Sequence, residues 1–133
     1  MIVVDASAVV LALADGGERG REARRVLADE HADDPWYAPE HLLIECAQAL
    51  RGLGLSGKLK REDLAAARRA LARLSVNVVP TQLLLDRVWE LSDGVTAYDA
   101  AYVACAERLD APLVTGDRKL ANALGPRCAF VTV

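Results

Sequence analysis

Asp5, Glu45, Asp99 and Asp117 are the residues whose surroundings are hardest to reconcile with a solvated surface. Asp5 ends a β-branched run, Ile2-Val3-Val4, and Asp117 follows a second apolar run, Leu113-Val114-Thr115, across a single glycine. Asp99 stands at the third helical position after Thr96. Glu45 has Leu42 at i−3 and Ala49 at i+4, so helical geometry puts its carboxylate on a largely apolar face. An ionised acid buried there without a partner costs several kcal/mol. A cation shared with other carboxylates removes that cost, and oxygen ligands with retained waters are what hard Mg²⁺ or Mn²⁺ requires. Taken singly, each acid has an ordinary alternative. Asp99 can be a helix-start acid favoured by the dipole, Asp5 a cap or an Asx turn, Asp117 a turn residue and Glu45 the partner of an arginine. Those four alternatives together explain their convergence poorly.

Convergence follows from the elements expected to carry them. Residues 2–4 read as a strand, and Ser7 is placed to cap a helix through about Ala14. A second helix is expected from Glu18 to His31, broken by Asp33-Asp34-Pro35. Trp36-Tyr37-Ala38 reads as a strand, with Pro39 in the first turn of a helix that the glycines from Gly52 to Gly57 bring to an end. A helix over 58–74, a strand over 76–79 and a helix carrying Leu84, Val88 and Leu91 follow. Thr96 then caps a helix to Asp110 whose inner face holds Tyr98, Ala101, Tyr102, Cys105 and Leu109. Residues 112–115 form a strand, Arg118 to Leu124 a short helix and Ala129 to Val133 a closing strand. Strands alternating with helices predict an α/β fold, a three-layer α/β/α sandwich around a parallel five-stranded sheet. In such sheets the ligand crevice lies beyond the carboxyl ends of the strands, where Asp5 and Asp117 both project.

Composition sets the outer bounds. The 133 residues are 53% hydrophobic and only 5% aromatic, enough for one domain over 1–133 built from helices on a sheet. The net charge of −3 excludes a protein that coats nucleic acid by charge alone, while leaving RNA open as a substrate of a local site. Three cysteines with no C-x-x-C pair suggest neither a disulfide framework nor zinc, and fit a reduced, cytoplasmic protein. The sequence predicts neither an export signal nor a membrane span. Arg118 and Lys119, directly after Asp117, are the bases best placed to line the approach to the acids. Lys58, Lys60, Arg61, Arg68, Arg69 and Arg73 read at least as well as a solvated helix face. Trp36 and Trp89 read as packing residues rather than base-stacking platforms.

In order and spacing the chain closely resembles the PIN domains of VapC toxins, over its whole length. The carriers are Val4-Asp5-Ala6-Ser7-Ala8, Ile44-Glu45-Cys46-Ala47, Tyr98-Asp99-Ala100-Ala101-Tyr102-Val103-Ala104 and Leu113-Val114-Thr115-Gly116-Asp117. The resemblance implies a metal-dependent endoribonuclease, the toxin half of a toxin–antitoxin pair, silenced by a cognate antitoxin protein and expected as a homodimer. It makes Asp5 and Asp99 the most direct ligands of Mg²⁺ or Mn²⁺, with Glu45 and Asp117 completing the acidic catalytic quartet. Ser7 and Thr115 match positions that hydrogen-bond ligands or water. The implied chemistry is in-line attack of a metal-activated water on an RNA phosphorus. Apolar excess on the helices near 20–31 and 39–52 is expected to leave a groove for an antitoxin helix. Phosphoaspartate enzymes also place Asp after the first strand, but Ser7 stands where that phosphatase pattern needs a second Asp. The remaining alternative is a catalytically silent PIN-like module that binds RNA or protein.

Overall fold

The computed structural model describes all 133 residues. Five short parallel strands, β1 (Ile2–Val4), β2 (Trp36–Pro39), β3 (Asn77–Val79), β4 (Leu113–Thr115) and β5 (Phe130–Thr132), form one sheet in the order β3-β2-β1-β4-β5. The α/β expectation therefore holds. The chain steps outward from β1 through β2 to β3, then returns to the other side of β1 for β4 and β5. Val4 pairs with Val114 across β1 and β4, so the sheet changes winding direction where Asp5 and Thr115 emerge.

Helices α1 (Ala6–Ala14), α2 (Glu18–Arg24), α3 (Leu42–Leu55) and α4 (Arg61–Ala72) pack together on one face, with α1 against β4. Helices α5 (Leu85–Glu90) and α6 (Ala97–Leu109) cover the other, where α6 lies on β1, β2 and β4. The four-residue α7 (Arg118–Ala121) leads into β5. Strands β1 and β4 are buried on both faces, which accounts for their unbroken apolar runs. In α6, Ala100 to Ala106 are all buried; small alanines let this helix lie close on the sheet. Burial pushes the free thiols of Cys46 and Cys105 up to about 12, and that of Cys128 to about 11, so they act as neutral packing groups.

Several boundaries depart from the sequence expectation for identifiable reasons. Pro39 ends β2, paired with Val79, and α3 starts at Leu42 after a turn at Glu40-His41. Proline suits both places, because its missing N–H ends a ladder as readily as it opens a helix. Gly52 and Gly54 lie inside α3, where Gly54 lets Leu64 of α4 approach to 2.7 Å of the place a Cβ would take. The chain breaks only afterwards, at Gly57 with φ +73°. The helix expected to His31 changes at Arg25 to a π-helical turn, Arg25–Glu30, which still buries Val26 and Leu27.

One part-buried ion pair ties α5, α6 and the loop before β5. Arg87 Nε donates to Glu107 Oε2 at 2.7 Å and Nη2 to Oε1 at 3.1 Å, while Nη2 also reaches the Gly125 carbonyl at 2.8 Å. The Arg127 N–H donates to Glu107 Oε1 at 2.7 Å. Burial alone would raise the Glu107 pKa, but the Arg87 and Arg127 hydrogen bonds and charges outweigh it and hold the carboxyl below its usual value. A depressed folded pKa stabilises the fold above the unfolded carboxylate range and loses that contribution as pH falls through the folded value. Glu107→Gln should therefore lower stability at pH 7 by about 1–2 kcal/mol in urea unfolding. The gap to wild type should shrink as pH drops below about 4; a gap constant with pH would show that charge is not what the pair contributes.

Candidate active site

The winding switch places Asp5 under two hydroxyls. Asp5 is 4% exposed and caps α1, its Oδ1 accepting from the Ala8 N–H at 2.9 Å. Asp5, rather than Ser7, is thus the cap. Ser7 Oγ donates to Asp5 Oδ1 at 2.6 Å and accepts from the Gly116 N–H at 2.8 Å. Thr115 Oγ1 donates to Asp5 Oδ2 and accepts from the Asp117 N–H at 2.9 Å. Each hydroxyl takes a backbone proton from the β4–α7 turn and passes its own to Asp5, so the turn and the carboxylate are locked together. Burial raises the Asp5 pKa; the bonds from Ser7, Thr115 and Ala8 oppose it, and the charge of Asp99 adds to it.

The other acids face the same place from three further elements. Thr96 caps α6 by accepting the Asp99 N–H at 3.2 Å, as the Thr-x-x-Asp spacing predicts. Burial raises the pKa of half-buried Asp99; a side-chain hydrogen bond from the Thr96 hydroxyl lowers it, and the charges of Asp117 and Glu45 push it back up. Asp117 Oδ1 caps α7 through Lys119 N at 2.8 Å and Leu120 N at 3.2 Å. Asp99 is therefore within electrostatic reach of each of the other three sequence-predicted residues. No three of the chain's acid, imidazole or thiol groups close into a ready-made ion cage. The like charges instead stand apart on their own hydrogen-bond partners.

Glu45 departs from its sequence expectation. Its side chain is 37% exposed, and its Ala49 neighbour is exposed rather than buried, so α3 does not bury the carboxylate as predicted. It is held from one side: Tyr102 donates its OH to Oε2 at 2.8 Å, and His41 Nε2 lies 3.6 Å from the same oxygen. The His41 ring meets Tyr102 edge-on at 4.9 Å and Tyr98 at 5.8 Å. His41 is a site residue that the sequence reading did not single out, although its i,i+4 spacing to Glu45 was a usable signal. Tyr98, expected on the inner face of α6, is 66% exposed beside Asp99, whereas Tyr102 is buried as predicted.

The donor set suits a hard divalent cation: four carboxylates on four elements, no thiol among them, and oxygens left over from the capping bonds. Elsewhere, Leu43, Ala47, Leu50, Leu55, Leu64 and Leu71 line a groove of about 700 Å³ between α3 and α4, with Arg51 and Arg68 among its walls. Of the two helices expected to form such a groove, the one over 39–52 lines it as α3, while α4 rather than the helix over 20–31 supplies the other wall.

Comparison with known proteins gives a consistent picture. The sequence profile of the PIN domain matches residues 2–124. The chain is 43% identical over 133 residues to ribonuclease VapC1 of Mycobacterium tuberculosis, covering 98% of this chain and 96% of that one. It is 38% identical to VapC ribonuclease Mb0985 of Mycobacterium bovis, covering 100% and 98%. Among solved structures it resembles PAE2754 of Pyrobaculum aerophilum, with a TM-score of 0.59, 28% identity and coverage of 90% and 81%. The fold is also that of Mycobacterium tuberculosis VapC20, described as a sarcin–ricin loop cleaving toxin, with a TM-score of 0.68, 20% identity and coverage of 91% and 93%. Matched over nearly its whole length by the domain profile and by these ribonucleases, the chain belongs to the PIN-domain family, in its VapC ribonuclease branch.

Proposed function

We propose that the 133 residues act as one PIN unit, the endoribonuclease toxin of a VapBC-type pair, hydrolysing RNA phosphodiesters at the Asp5, Glu45, Asp99 and Asp117 site with Mg²⁺ or Mn²⁺. The observation that carries this reading is the buried Asp5 carboxylate, fixed by Ser7, Thr115 and Ala8 and electrostatically coupled to Asp99. Asp5 and Asp99 are the residues assigned to hold the cation, with Glu45 and Asp117 flanking it. A divalent cation bound there supplies positive charge to a phosphoryl oxygen and acidifies a water. The protein's own part is orientation. Ser7 and Thr115 fix both Asp5 oxygens, Tyr102 and His41 fix one Glu45 oxygen, and capping fixes one Asp117 oxygen, leaving the remaining lone pairs for ligand and water. A catalytically silent binding module is the second reading, and it is disfavoured because all four acids are present and Asp99 lies within electrostatic reach of the other three.

A cognate antitoxin is assigned to the α3–α4 groove, where Arg51 and Arg68 beside the leucines favour an amphipathic segment with acidic flanks. Homodimerisation is assigned to the α5 side, which presents Leu83, Leu85 and Trp89 to solvent, Trp89 being 73% exposed. No helix is long and apolar enough to cross a membrane, and a cytoplasmic location fits three free thiols.

Incubation of purified protein with a pooled cellular RNA in Mg²⁺ or Mn²⁺ should give discrete products that disappear with EDTA and in Asp5→Asn. Ser7→Ala should retain the fold and lose roughly 10- to 100-fold in cleavage, as outer-shell changes at metal sites do. Absence of metal-dependent cleavage from antitoxin-free wild type would favour the binding module instead. For the partner surfaces, Leu55→Asp should weaken capture of the co-expressed antitoxin by about tenfold or more without slowing cleavage. Trp89→Glu should shift light-scattering mass from dimer to monomer; a wild-type monomer would remove the dimer assignment.

A further inference from the structure

Beside the acids, α2 and the β4–α7 turn bring together three cations that pair with no Asp or Glu side chain. Arg19, Arg118 and Lys119, with Gly116 and Asp117, line an open depression of about 490 Å³ with no hydrophobic residue in its wall. Arg25 and Arg87 are spent on Glu22, Glu30, Glu90 and Glu107, yet none of these three forms a salt bridge. Asp117 lines the same depression but forms no salt bridge with them, its Oδ1 being turned to the backbone N–H groups of Lys119 and Leu120.

Arg19 is held in place before any ligand arrives. Its Nη2 donates to the Gly116 carbonyl at 2.5 Å and to the main-chain oxygen of Val133 at 2.9 Å, bridging the Asp117 turn and the residue after β5. A guanidinium has five N–H donors in a fixed fork, so the Nε and Nη1 hydrogens remain after these bonds. Held this way, the side chain loses less freedom on gripping an anion than a free surface arginine would. An adjoining cavity of about 550 Å³ shares Arg19 and Arg118 and adds Arg21 and Arg25, with Glu18 and Glu22 as its acids. Glu22 is already paired with Arg25, so positive charge prevails on the Arg19–Arg118 side.

We infer that Arg19, Arg118 and Lys119 form a binding subsite for an RNA backbone phosphate that flanks the scissile one, with Arg19 also holding the turn that carries Asp117. The inference rests on the ribonuclease reading and adds a second point of substrate attachment, one that binds anions through the protein's own cations rather than through a bound metal. Such a site explains how a chain of net charge −3 attracts a polyanion to an acidic centre.

Phosphate contacts are counted by salt dependence, since each one on single-stranded nucleic acid contributes about 0.7 to the slope of log affinity against log salt. The test is fluorescence anisotropy of a fluorescein-labelled, mixed-sequence single-stranded RNA in EDTA, titrated with wild type, R19Q, the R118Q/K119Q pair and R73Q across a salt series. The slope should fall by about 0.7 for each contact removed in R19Q and in R118Q/K119Q, and stay unchanged in R73Q on the far end of α4. Should R19Q fail to fold, the R118Q/K119Q pair decides alone. Unchanged slope in that pair, or an equal fall in R73Q, overturns the subsite while cleavage by wild type leaves the ribonuclease reading standing. Wild type that neither cleaves nor binds RNA overturns both.

Discussion

The burial of one carboxylate organises this molecule. Asp5 lies at the point where a parallel sheet changes its direction of winding, almost out of contact with water, and an ionised group there has to be surrounded by donors. Ser7, Thr115 and the Ala8 N–H supply them. Because the same two hydroxyls accept the Gly116 and Asp117 N–H groups, the arrangement is shared between β1, α1 and the β4–α7 turn rather than belonging to any one of them. A hydroxyl that accepts from backbone and donates to carboxylate has no rotamer freedom left, and that fixes Asp5 more tightly than packing alone would.

The remaining acids obey the opposite logic. Glu45 and Asp117 keep part of their solvent, and each is anchored through one oxygen only. Neighbouring carboxylates raise the proton affinity of Asp99, which registers the charges of Asp117 and Glu45. The fold resists this repulsion by tethering each acid to a different element, two of them by capping the helix that carries or follows them. Cost and function coincide, since the field that makes the cluster unfavourable alone is the field that draws a divalent cation.

Much of this was legible in the sequence, and the parts that were not share a physical cause. Asp5 and Asp117 could be placed because each follows an apolar run too short to be anything but a buried strand, and Asp99 because Thr96 supplies the cap that defines its position. Glu45 was found for a reason that the structure does not sustain: its apolar helical neighbours suggested burial, yet α3 turns Ile44 and Ala49 outward and leaves the carboxylate part-exposed. Apolar residues on a helix do not reveal whether they face this chain's core or a face that its own core leaves uncovered. Tyr98 was misplaced on α6 similarly, since small alanines rather than aromatics pack against the sheet there. Arg19 gave no local signal at all, because both its carbonyl partners lie about a hundred positions away in the chain.

Helix α3 brings these themes together. Its first turns hold Glu45 beside Tyr102 and His41, while Leu43 and Ala47, on either side of Glu45 in sequence, open onto the groove shared with α4. One helix thus presents a carboxylate to the acidic site and apolar side chains to a neighbouring cleft, separated by the rotation of a few residues. A segment occupying that cleft near Leu43 would lie against the helix that carries Glu45, so a single fourteen-residue helix serves two surfaces at once.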